Sequence, residues 1–208
     1  MNQQQMTALS ITDLSFAYPE QTIFKNMSVD IPAGVSLIRC EESRGKSTLL
    51  QLLAGELRPD HGSICAYGLD SCKDTQQYRK QVYFIDPRTD RFDQISAIQY
   101  LAQVESEYPD FDRTNLPAII DGLGLTPHQD KPLFMLSAGS KRKVWIAAAI
   151  ANGAKITLID DLTAALDRGS IEFIIDQLIS ISKQDKRHFI VSHFDMLKRV
   201  PFASVINI

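Results

Sequence analysis

The sequence is sparing in cysteine: Cys40, Cys65 and Cys72 are an odd number, without metal-ligand spacing or a disulfide framework. It has no long apolar run either. The most apolar stretch, Val144 to Ala154, is 11 residues and includes Asn152 and Gly153, whereas a spanning helix takes roughly 20. Excess positive charge is missing too: the formal net charge is -3, so the broad positive field of a nucleic-acid binder is excluded and no nucleic-acid partner is expected. There is no internal repeat or low-complexity segment, and Met1 to Ser10 is polar, without an apolar signal segment. These absences point to a reducing, cytoplasmic setting, in which any role at a membrane is that of a peripheral partner.

What is present is the material of a globular core. With 208 residues, 44% of them hydrophobic and 23% charged, the chain can bury a substantial interior as one domain or two small lobes. Strand signals fall at Leu9 to Tyr18, Gly34 to Arg39, Ser63 to Tyr67, Val82 to Ile85, Ile156 to Asp160, Phe189 to Ser192 and Ser204 to Ile208. Several are short, β-branched and free of charge, as suits the buried central strands of a parallel sheet. Helical patterns lie between them. Leu49, Leu50, Leu53 and Leu57 predict a helix over Lys46 to Leu57, with Gly55 loosening its last turn and Pro59 after it. From Ile95 to Leu136 there are helical runs around Ala97 to Ser106 and Leu116 to Leu123 and no convincing strand. This reads as a helical lobe inserted into an α/β core, with Pro109 to Asp112 turning between its helices.

The segment Arg44-Gly45-Lys46-Ser47-Thr48 is half of a phosphate-binding loop. An intact loop reads G-x-x-x-x-G-K-[ST]: glycines let backbone amides approach the phosphates, the Lys reaches the β- and γ-phosphates, and the hydroxyl binds Mg²⁺. Here Cys40 stands at the first Gly, with Glu41, Glu42, Ser43 and Arg44 in between. The strand from Lys155 to Ile159 ends in Asp160 and Asp161. In P-loop enzymes a carboxylate at such a strand end holds Mg²⁺ and a neighbouring one orients the attacking water. Without the P-loop fragment, two adjacent acids would suit a solvated turn equally well. His61, His128 and His188 have no such context and are expected at the surface.

Further motifs follow in a fixed order. Leu136-Ser137-Ala138-Gly139-Ser140 opens a helix whose apolar side carries Val144, Ala147, Ala148 and Ala151; Thr163 to Asp167 follows the paired acids, and Val191-Ser192-His193 follows the next strand. Phe16-Ala17-Tyr18 and Gly62 to Gly68 lie either side of the P-loop. From end to end, this series resembles the ATP-binding cassette (ABC) ATPases. The resemblance implies a P-loop NTPase core with a mainly parallel central sheet, an N-terminal antiparallel β subdomain and an inserted helical subdomain: one domain over 1–208, with 1–94 and 137–208 as core and 95–136 helical. It also implies roles. Tyr18 would stack on adenine, and Cys40, Ser43, Arg44, Gly45, Lys46, Ser47 and Thr48 would cradle the phosphates. Ser47 and Asp160 would hold Mg²⁺, with Asp86 a further candidate. Asp161 and His193 would be the catalytic pair, the imidazole binding the γ-phosphate and positioning the water. Ser137 and Gly139, at a helix N-terminus, would bind the γ-phosphate held by an opposing subunit, and Asp167 would be the D-loop acid.

The pattern also departs from the family. Cys40 and Ser43 replace glycines, and Glu41 and Glu42 bring negative charge toward a polyanion, so affinity should fall below that of a Gly-rich loop. Asp161 stands where the family usually has Glu, shortening the reach to the water by about 1.5 Å, and Leu162 stands for the usual Pro. Asp86 and Pro87 occupy the place of the Q-loop Gln, Gln94 lies too late, and Ser140 and Lys143 replace the signature Gln and a following Arg.

The reading the resemblance implies is an ATP-binding subunit of an ABC transporter, hydrolysing ATP with Mg²⁺. Its partners would be a second ABC subunit, as homodimer or heterodimer, and an integral membrane subunit, the chain lying peripherally at the inner face of the membrane. One alternative is a non-catalytic or weakly hydrolysing regulatory subunit paired with a more intact cassette. Another is a soluble ABC ATPase of DNA repair or translation, disfavoured because 208 residues leave no room for paired cassettes, zinc modules or long coiled coils.

Overall fold

A computed structural model of the chain describes residues 9–40, 45–183 and 187–208. The chain runs β1 (Leu9–Tyr18), β2 (Gln21–Ile31), β3 (Gly34–Arg39), α1 (Lys46–Leu53), β4 (His61–Ala66), β5 (Leu69–Asp70), α2 (Thr75–Arg79) and β6 (Val82–Phe84). It continues through α3 (Ala97–Glu107), α4 (Leu116–Gly122), α5 (Ala138–Ala151), β7 (Ile156–Ile159), α6 (Arg168–Ser182), β8 (His188–His193) and β9 (Ser204–Asn207). The strands form an antiparallel sheet ordered β2-β1-β4-β5 and a parallel sheet ordered β6-β7-β8-β3-β9.

The parallel strands divide their side chains by period two. Val35, Leu37, Phe189, Val191 and Ile159 face a core shared with α3, α4, α5 and α6. Ile38, Ile190, Ile156 and Leu158 face a second core shared with α1 and the antiparallel sheet. Leu49, Leu50, Leu52 and Leu53 of α1 are wholly buried in this second core. Each contributes about 1.5–3 kcal/mol relative to exposure, which fixes the helix that opens on Lys46 and Ser47.

Helix α1 ends at Leu53, short of the expected Leu57. Gly55 adopts φ 69°, and the amides of Gly55 and Glu56 turn back onto the carbonyls of Leu52 and Gln51. That is a glycine-terminated cap, and it closes the helix before Leu57 is reached. Strand β2 has no counterpart among the sequence signals: it carries Lys25 and Asn26 mid-strand and lies on the sheet edge with bulged pairing, so it lacks clean alternation. In α5 the apolar surface is wider than one side, since every residue from Val144 to Ala151 is buried. Its alanines let α3 and α4 close on one flank and β7 on the other.

His188 corrects the expectation of a surface residue, for it is fully buried. It begins β8 between Gly34 of β3 and Ile156 of β7, lies edge-on to Tyr67 at 5.6 Å, and places Nδ1 3.1 Å from the Pro32 carbonyl. His61 is exposed and His128 partly so.

Candidate functional site

The order β7-β8-β3 brings three strand ends side by side. Beyond β3 the chain enters the P-loop, beyond β7 come Asp160 and Asp161, and β8 ends on Ser192 and His193. Ligand sites in open parallel sheets form at such carboxyl ends. Glu41, Glu42, Ser43 and Arg44 lie outside the described residues, so the account of the loop begins again at Gly45. Gly45 precedes α1 with φ 89°, a conformation open to glycine, and a β-carbon there would press on Ile23 and Phe24 at 3.2 Å.

Lys46 is only 9% exposed, and its Nζ donates to the carbonyl of Cys40 at 3.3 Å, so the ammonium lies back across the loop. The Ser47 hydroxyl donates to Oδ2 of Asp160, while Oδ1 of Asp160 accepts from Ser192 Oγ at 2.6 Å. Ser192 Oγ in turn accepts the amide of Asp161 at 2.8 Å. Asp161 has φ 47°, and its carbonyl and that of Asp160 both accept from Nη2 of Arg142 on α5. His193 is 5% exposed, with Nε2 2.8 Å from Thr163 Oγ1 and Nδ1 2.8 Å from the Asp195 carbonyl. The Asp195 amide also donates to Nδ1 at 3.1 Å, so Asp195 meets one ring nitrogen through its backbone while Thr163 meets the other.

Tyr18 is 42% exposed, with its hydroxyl 3.4 Å from Thr48 Oγ1 and its ring edge-on to Phe16, so an open aromatic face stands beside the start of α1. Asp86 goes elsewhere. Its carboxylate is engaged by Arg88, Nε to Oδ1 at 3.1 Å and Nη2 to Oδ2 at 3.0 Å, which holds its pKa below the usual carboxylate range. Among the described residues no hydrogen bond joins it to Ser47 or Asp160, and Arg88 is its partner.

On the signature side, Ser137 caps α5, its Oγ accepting the Ser140 amide at 3.1 Å, and it is exposed. Asp167 caps α6 through the Ser170 amide at 2.9 Å and pairs with Lys143 of α5. The hydrogen bond from Lys143, then those from Ser170, hold the Asp167 carboxyl well below its ordinary range. Gly139 sits beneath the next loop: a β-carbon there would stand 2.4 Å from the Ala165 carbonyl oxygen. Gly139→Ala is therefore expected to destabilise the fold by about 1–3 kcal/mol through overpacking. Thermal denaturation checks this, at roughly 2–4 °C of midpoint per kcal/mol for a domain of this size. An unchanged midpoint would show that the Ala165 loop simply moves aside.

Among the described residues, a cleft of about 700 Å³ between β2, β3 and β9 touches this constellation through Cys40 alone. The chemistry sits instead on the ridge of strand ends. Its donors, a hydroxyl and a carboxylate already within hydrogen-bond contact, are hard oxygen ligands of the kind that hold Mg²⁺ beside nucleotide phosphates. The described residues contain no group of three or more His, Cys, Asp or Glu that could hold a metal ion.

Two residues escaped the sequence reading. Ser192, a polar residue at the end of an otherwise apolar strand, bridges the two acids. Arg142, a cation just before the all-apolar run of α5, reaches their carbonyls.

A family model described as ABC transporter matches residues 24–164. The chain belongs to the ABC transporter family, as an ATP-binding subunit. It is similar to an achromobactin transport ATP-binding protein of Dickeya dadantii, 26% identical over 200 residues, covering 92% of this chain and 74% of that protein. An energy-coupling factor transporter ATP-binding protein of Methanospirillum hungatei is 30% identical over 215 residues, covering 95% of this chain and 52% of that protein. Among solved structures, a putative ABC transporter ATP-binding protein from Pyrococcus furiosus superposes with a TM-score of 0.77 at 23% identity, covering 97% of each chain. That likeness is one of fold.

Proposed function

We propose that this ABC subunit hydrolyses ATP to ADP and phosphate itself, slowly, and that two such cassettes sandwich the nucleotide to drive an integral membrane partner. The observation carrying the reading is the convergence of Ser47, Asp160, Asp161 and His193 on three adjacent strand ends. Ser47 and Asp160 would hold Mg²⁺, which when bound neutralises charge developing on the phosphates. Lys46 leaves the Cys40 carbonyl for the β- and γ-phosphates, and Gly45 and Thr48 flank it in the cradle with Cys40, Ser43 and Arg44. Asp161 orients a water and accepts its proton as the water oxygen bonds to the γ-phosphorus and the bond to the bridging oxygen breaks, releasing ADP. His193 binds the γ-phosphate after giving up Thr163, and Tyr18 stacks on adenine.

The exposed Ser137, with Gly139, meets the nucleotide of the opposing subunit, and Asp167 lies at the same face. The helical segment 95–136 serves as the subdomain between core regions 1–94 and 137–208; in support, the described residues between β6 and β7 form helices and one isolated bridge, Ser96 to Pro132. No helix among the described residues is long and apolar enough to cross a membrane, which agrees with a peripheral cytoplasmic subunit at the inner face.

The closing of Asp86 by Arg88 favours a second reading, a regulatory cassette paired with a more intact one, because the family's Q-loop position is then an ion pair. Phosphate release from Mg-ATP by the purified full-length chain tests both. Slow turnover that His193→Ala removes supports hydrolysis; nucleotide binding without turnover at any concentration sinks it and leaves the regulatory reading.

A further inference from the structure

Arg142 is a cation withdrawn largely from water, and desolvation pushes its pKa down against the opposing pull of Asp161 and Asp160. It lines a small, mainly apolar cavity together with Tyr83, Pro87 and Trp145, and its Nε has no hydrogen-bond partner among the described residues. Burying a guanidinium with an unused donor is unfavourable unless its remaining bonds are strong. Those bonds are specific: Nη2 meets the carbonyls of Asp160 and Asp161 together, so one donor spans the peptide that joins the two acids. The side chains at that spot already hold each other through Ser47 and Ser192. The Asp161 backbone adopts φ 47°, a conformation unfavourable by about 1–2 kcal/mol for most L-residues. The Ser192 hydroxyl fixes its amide and Arg142 fixes its carbonyl, so the two grip the residue from both sides.

We propose that Arg142 is a positioning residue for ATP hydrolysis, clamping the Asp160–Asp161 backbone so that the short Asp161 carboxylate is aimed at the attacking water. This rests on the reading of Asp161 as the acid that handles the water. Arg142 touches neither nucleotide nor water in this role and acts through the peptide it holds. Because Ser137 caps the helix that carries Arg142, the clamp also ties the signature helix to the acid of its own subunit.

The test compares the full-length chain with Arg142→Met and Arg142→Lys, reading Mg-ATP turnover, nucleotide affinity and amide exchange. Arg142→Met is expected to lower kcat by about 10- to 100-fold, the scale of an ångström-level misplacement, with affinity within about threefold. Arg142→Lys, which keeps one donor near the carbonyls, recovers part of the loss. Exchange should quicken by about tenfold at the amides of Asp161 and Leu162, which Ser192 holds, while Leu158 and Ile159 in the strand stay protected. Far-ultraviolet circular dichroism and the thermal midpoint check that each variant folds. Should Arg142→Met fail that check, Arg142→Lys and Arg142→Gln carry the same comparison. No turnover in the unchanged chain sinks the hydrolysis reading. Turnover in the unchanged chain that folded Arg142 variants leave within about twofold, or exchange rates that do not move, sinks the clamp alone.

Discussion

Lys46→Ala is expected to weaken ATP binding by about 10- to 100-fold and to bring turnover to background. The lysine is nearly buried at the start of α1, and among the described residues it donates to the Cys40 carbonyl. A hydrogen bond to a charged group is worth about 1.5–3 kcal/mol, and Lys46 would make such a bond to phosphate in place of a weaker one to a carbonyl. Stability should change little, because the leucines of α1 hold the helix without the ammonium. The expected signature is therefore a lost affinity, read by titration of a fluorescent ATP analogue, beside a thermal midpoint that stays in place. An affinity that survives the substitution would mean that the phosphates do not sit over α1, and the P-loop reading would fail with it. Arg44 carries the neighbouring positive charge in the sequence, so Arg44→Ala serves as the control for a merely electrostatic effect and should weaken binding far less than Lys46→Ala does.

The site was legible in the sequence where a residue's role depends on local chain geometry. Lys46 and Ser47 open a helix after a strand, Ser137 and Asp167 cap helices, and Asp160 and His193 end strands, and each of these can be read from neighbours within a few positions. What escaped was set by tertiary pairing. Ser192 looks like an ordinary strand residue until β8 is laid beside β7, when its hydroxyl falls between two acids some thirty positions away. Asp86 stands where a glutamine was sought, and Arg88 two residues on is its ion-pair partner. The fold behaves alike: the buried parallel strands announce themselves as apolar runs, whereas β2, an edge strand with bulges and mid-strand Lys25 and Asn26, is held by pairing with β1 rather than by pattern. His188 was misjudged for the same reason, since its burial comes from Tyr67 and Pro32, far off in the chain.

Asp161→Glu is expected to raise kcat by about 10-fold or more, and Asp161→Asn to lower it by at least about 100-fold with ATP binding retained. The carboxylate of Asp161 is exposed on the ridge while its backbone is gripped by Ser192 and Arg142, so a longer side chain extends toward the nucleotide without disturbing the grip. The added methylene supplies about 1.5 Å of reach. Asn keeps the size and the left-handed tolerance of Asp but cannot accept the water's proton, which isolates the proton-handling role from shape. The opposite effect falls on stability. At φ 47° Asp and Asn are tolerated better than longer residues because their short polar side chains bond locally, so Glu should destabilise by roughly 0.5–1 kcal/mol, and Asn by little. Faster turnover with a lower thermal midpoint in Asp161→Glu would identify backbone conformation as the constraint that keeps Asp in this position. If Asp161→Glu is no faster, reach is not what limits the rate, and the slow step lies with the loop around Cys40 or with the Asp86–Arg88 pair.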